Sequence, residues 1–95
     1  MYINEMVNEV IYFCNYFEIA KSDDIALMAE QITRNLENKV FVENLINKLH
    51  EEMQLKRLMT DRTKERLDKL LIGLNNTKFL LELENLDNTL VKVNQ

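Results

Sequence analysis

The stretch VFVENLINKLHEEMQLKRLM, from Val40 to Met59, decides the fold class. Val42, Leu45, Ile46, Leu49 and Met53 recur at the steps that place side chains on one face of an α-helix. Glu43, Asn44, Asn47, Lys48, Glu51 and Glu52 fill the other face. A helix with one apolar stripe has to bury that stripe against another layer of structure. Composition says what that layer is. The 95 residues include no proline and one glycine, Gly73, whereas small sheet proteins need several turns built on those residues. The chain therefore reads as all-α: an antiparallel four-helix bundle, a single domain over 1–95, with a C-terminal helical or loose tail.

Working outward, residues 2–18 form the first helix. Ile3, Met6, Val10, Phe13 and Phe17 make its stripe, widened by Val7 and Cys14. Tyr2, Tyr12, Phe13, Tyr16 and Phe17 load this segment with aromatics, which suits a helix touching two neighbours or one presenting an aromatic patch to a partner. The second helix spans 22–37, with Ser22 as N-cap, Asp23 and Asp24 at the positive end of the helix dipole, and Asn38 as terminator. Ile25, Met28, Ala29, Ile32 and Leu36 form its stripe. The third helix covers 40–57. After Met53 its register slips, so Leu55, Leu58 and Met59 turn to another face.

Thr60-Asp61 signals the next cap, and the fourth helix follows over 61–75 on Leu67, Leu70, Leu71 and Leu74, with Ile72 beside them. Gly73 marks where it frays or stops. The segment 77–93 has two readings. As a helix, Phe79, Leu83, Leu86, Leu90 and Val93 continue a heptad begun by Ile72 and Asn76, with one polar core position of the kind that fixes register in helical dimers. As strands, Phe79, Leu81 and Leu83 alternate and Leu90 to Val93 return, which would make a winged-helix DNA reader of Arg62, Lys64, Arg66 and Lys69. The Leu and Glu content of 79–86 favours helix.

The net charge of −4 argues against nucleic acid as the default partner. The charge is uneven. Residues 1–37 carry seven acids against two bases, giving −5, while 56–69 carry six bases against three acids, giving +3. The single cysteine, Cys14, excludes an internal disulfide and fits a reducing compartment, and no apolar run is long enough to span a membrane. A cytoplasmic protein is expected. His50 has no second ligand at metal spacing and no declared orienting partner, so it reads as a surface residue. There is no phosphate loop and no nucleophile motif. The expectation is a non-enzyme with no catalytic residues, no cofactor and no metal, working through a protein partner.

In its order of elements the chain resembles the cytoplasmic immunity proteins of pediocin-like (class IIa) bacteriocins. The resemblance covers residues 4–76: an aromatic first helix (NEVIYFCNYFEIAKSDD), a second ending ITRNLENK, a third carrying ENLINKLHEEMQLKRL and a threonine-started fourth, TDRTKERLDKLLIGL. Leu36, Glu37, Leu45, Lys48, Leu49, Glu52, Leu58, Thr60, Leu67 and Leu71 are most like the family pattern. The resemblance implies a bundle that protects a bacteriocin producer by recognising the bacteriocin-occupied mannose phosphotransferase permease, with specificity in the C-terminal part. It assigns Lys69, Phe79 and Leu83 to that region, while the tail departs from the family pattern. Lys56 and Arg57, at the change of face, and Leu86 in the heptad complete the candidate partner-binding residues. The alternatives are a phage- or plasmid-encoded regulator that binds a host protein, a homodimer through the C-terminal segment, and the winged-helix reading.

Overall fold

The computed structural model describes residues 1–55 and 58–93, with side chains as far as Leu86. Its element order is α1 (Ile3–Tyr16), α2 (Ile25–Asn35), α3 (Lys39–Leu55) and α4 (Asp61–Val93). No strand occurs among the described residues. The protein is an all-α helical bundle in which α4 packs on α1 and α3, and α1 packs on α2.

The core follows the apolar stripes. Val42 and Leu49 of α3, Leu67, Leu70 and Leu74 of α4, and Phe13 of α1 are sealed from solvent. Met6, Val7, Val10, Ile11, Cys14, Phe17, Met28, Ile32, Leu36, Leu45, Ile46 and Leu71 surround them. No polar or charged residue is buried among the described residues. The aromatics of α1 form one packed chain: Tyr12, Phe13, Tyr16 and Phe17 contact one another at centroid separations of 5.0–6.0 Å. They hold α1 against its neighbours as core and half-buried rim. Ile3 and Ile25, expected in the stripes, are instead exposed at the outer ends of α1 and α2.

Several boundaries differ from the sequence expectation, each for a local reason. The first helix ends at Tyr16, before residue 18. Glu18 takes a left-handed φ of 57°, the Glu18 N–H donates to the Asn15 carbonyl (3.1 Å) and the Ile19 N–H to the Cys14 carbonyl (2.8 Å). This is a Schellman ending with glutamate where glycine is usual. Asp24, not Ser22, caps α2: its carboxylate accepts the Leu27 N–H at 3.0 Å. Ser22 supports it, its hydroxyl accepting the Asp24 N–H at 3.2 Å. Asn38 begins α3 as well as closing the turn after α2, since its side-chain oxygen accepts the Val40 and Phe41 N–H groups at 3.0 and 3.3 Å. Thr60 caps α4 as expected, accepting the Thr63 N–H at 3.1 Å.

The largest correction concerns Gly73. The fourth helix neither frays nor stops there but runs through it for 33 residues. The loose tail, the hairpin and with them the winged-helix reading are overturned by this continuity. Gly73 is buried because α1 begins across it. A Cβ at this position would lie 3.2 Å from the Met6 terminal methyl and 3.6 Å from the Met1 sulfur. The glycine therefore serves a close helix approach, not a turn. Thr77, one turn further on, donates its hydroxyl to the Gly73 carbonyl within α4 at 3.0 Å and places its hydroxyl oxygen 3.7 Å from the Met6 sulfur of α1.

Candidate functional site: the outer face of α4

At 33 residues α4 is about 50 Å long, from a rise of ~1.5 Å per residue. Its inner face carries Leu67, Leu70, Leu71, Leu74 and the half-buried Leu81, all packed on the core. Its outer face carries a second apolar row: Ile72 (62% exposed), Phe79 (58%), Leu80 (61%), Leu83 (40%) and Leu86 (56%). Asn76, also exposed, interrupts the row between Ile72 and Phe79. Both rows follow helical spacing, which is why α4 is apolar on opposite sides. One side satisfies the fold. The other faces solvent.

The candidate residues divide accordingly. Phe79, Leu83 and Leu86 come together on this outer face. Lys69 lies one turn N-terminal to Ile72, exposed, and lines a shallow depression of about 350 Å³ with Met1, Glu5, Ile72, Gly73 and Asn76. It forms no ion pair among the described residues. Lys56 and Arg57 lie outside the described residues, so the structure does not join them to this face. Their neighbours Leu55 and Leu58 are strongly exposed, while Met59 folds back onto the core. Leu90 and Val93 fall on the helical backbone of α4, but their side chains lie outside those described. Leu80 is the member that sequence reasoning missed. It sits beside the strict heptad, and its position next to Phe79 was the available signal.

The basic cluster at the start of α4 is partly committed to the fold. Arg66 reaches back to α1, its Nε donating to both Glu9 carboxylate oxygens at 2.9 and 2.7 Å. Its guanidinium also lies over the Tyr12 ring, 3.8 Å from the centroid. The hydrogen bond to Glu9 pushes the Arg66 pKa above its ordinary value. Arg66 thus clasps α1 to α4. Beside the outer face, Glu82 is partly compensated: it lies 3.6 Å from Lys39 of α3, which also pairs with Glu43 at 3.6 Å.

Elsewhere the chemistry is sparse. His50 is exposed on α3. A cleft of about 340 Å³ opens between α1, α2 and α3, walled by Val10, Cys14, Ile19, Met28, Ile32 and Leu45. Burial holds the Cys14 thiol in its neutral form, raising its pKa. No grouping of His, Cys, Asp or Glu among the described residues has metal-site geometry. No helix of the described residues is long and apolar enough to cross a membrane. Comparison with known proteins gives no match to a family model, a curated protein or a solved structure.

Proposed function

We propose that this protein acts by binding another protein through the outer face of α4, as an intracellular bacteriocin immunity protein. The observation that carries the reading is the row Ile72, Phe79, Leu80, Leu83 and Leu86, five large apolar side chains exposed along one helix face. Solvating such a row is unfavourable, and a contiguous patch of this kind is characteristic of interaction surfaces. The row also falls where the resemblance to pediocin-like immunity proteins puts partner specificity, on the fourth helix around Lys69, Phe79 and Leu83. In this reading the bundle made by α1, α2, α3 and the first half of α4 is the scaffold. The outer face of α4 recognises the bacteriocin-occupied permease on the cytoplasmic side. The protein performs no chemistry of its own.

The test is expression of the full chain in a bacteriocin-sensitive strain challenged with a panel of pediocin-like bacteriocins. The reading expects tolerance to at least one member, lost in the double variant Phe79→Ala, Leu83→Ala while its helical content is unchanged. No gain of tolerance to any member overturns the immunity assignment.

A further inference from the structure

We infer that the outer face of α4 pairs with the same face of a second copy of this chain. The inference rests on the reading of that face as a partner surface and names its first partner. Three observations carry it.

The first is periodicity. Ile72, Asn76, Phe79, Leu83 and Leu86 alternate steps of four and three along one unbroken helix, and the backbone of α4 carries that register on through residues 90 and 93. A 3.5-residue repeat is the requirement for two helices to stay in contact along their length. A helix that stays in contact along the whole row carries the same repeat, and a second copy does so by construction. Lys69, one step N-terminal to Ile72, marks where the seam ends.

The second is area. A fully exposed large apolar side chain presents ~200 Å², so the five exposed residues leave about 500 Å² open per chain. Two copies together cover about 1,000 Å², the lower bound for a specific interface.

The third is charge. Between Ile72 and Leu86 the positions flanking the strict heptad are Gly73, Asn75, Leu80 and Glu82. Glu82 is partly compensated within its own chain by Lys39 at 3.6 Å, a cation it shares with Glu43. Between Ile72 and Leu86, the only described charge flanking the seam is therefore this partly compensated carboxylate, and Lys69, unpaired among the described residues, sits at the seam's N-terminal end. The bundle lies on the opposite side of α4, so pairing brings no bundle across the seam. Asn76 is the single polar group in the row, a position that weakens pairing while fixing its register.

Sedimentation equilibrium of the full chain across roughly 1–500 μM tests this. The expected result is a monomer–dimer equilibrium approaching twice the 11.3 kDa chain mass. Leu83→Glu is expected to leave a monomer at the highest concentration. Asn76→Leu, which removes the polar layer, is expected to tighten association at least about tenfold, and this second variant does not depend on a loss. A wild-type chain that stays monomeric throughout overturns self-pairing. So does a dimer indifferent to both substitutions. The partner-surface reading is separated by the tolerance assay. A monomeric wild type whose tolerance disappears in Leu83→Glu keeps the face as a site for another protein, whereas tolerance that survives in Leu83→Glu removes the face from function.

Discussion

Replacing Gly73 with alanine separates a helix that runs through this residue from one that ends at it, because the two arrangements predict opposite signs. A glycine inside a helix costs about 1 kcal/mol relative to alanine, through backbone entropy. A glycine that terminates a helix in a left-handed conformation does the reverse, since alanine there is strained by about 1–2 kcal/mol. Gly73 has no positive φ and sits in the interior of α4. The added methyl would lie 3.2 Å from the Met6 terminal methyl, so that flexible end must yield by a few tenths of an ångström. Met1, at 3.6 and 3.7 Å, is in ordinary contact. Crowding of one movable methyl offsets part of the propensity gain, leaving a net stabilisation of about 0.5 kcal/mol. For a domain of this size that raises Tm by roughly 2–4 °C, readable by far-UV circular dichroism. In a Met6→Ala background the obstruction is gone, and the same substitution recovers the full ~1 kcal/mol. A fall in Tm in both backgrounds would refute the continuous helix.

Other perturbations test the remaining elements. Glu18→Gly relieves the left-handed residue at the end of α1, and urea denaturation should show a gain of about 0.5–1 kcal/mol, since the exposed Lys21 contact at 3.7 Å contributes little. Leu49→Ala, at a site sealed from solvent, should cost about 2–5 kcal/mol, a large part of the 5–10 kcal/mol expected for the whole domain. Arg66→Ala removes the clasp on Glu9 and the stacking on Tyr12, and a loss of about 1–2 kcal/mol is expected by the same denaturation. Cys14 titrates above its ordinary value of 9.0 in the folded chain. The unfolded thiol therefore ionises first. Stability is intact below that pH and declines as pH rises through it, and the decline should vanish in Cys14→Ala.

The sequence reveals the elements better than their ends. The α3 and α4 stripes were legible because Val42, Leu45, Ile46, Leu49, Leu67, Leu70, Leu71 and Leu74 keep strict helical spacing, and all are buried. Thr60 was legible because a hydroxyl before a charged first turn has one common use. The end of α1 was hidden, because glutamate occupies a position that glycine usually signals. Gly73 misled in the opposite direction. A lone glycine marks a helix stop and a close helix contact equally well, and only the packing of Met1 and Met6 on it distinguishes them. The heptad of Ile72, Asn76, Phe79, Leu83 and Leu86 was visible as a pattern. That it faces away from the bundle was not, since periodicity locates a face on a helix but not what lies against it. Arg66 shows the same limit, reading as part of a basic surface until the fold brings Glu9 beside it.

Helix α4 carries two apolar rows, an inner one that builds the fold and an exposed outer one that we propose serves a partner. Thermal unfolding of Leu83→Glu at low micromolar concentration, set against Leu70→Ala, tests this division most directly. Leu83→Glu is expected to keep wild-type helicity and a Tm within about 2 °C, while Leu70→Ala loses 10 °C or more. An equal or larger loss in Leu83→Glu would place Leu83 in the core and contradict it.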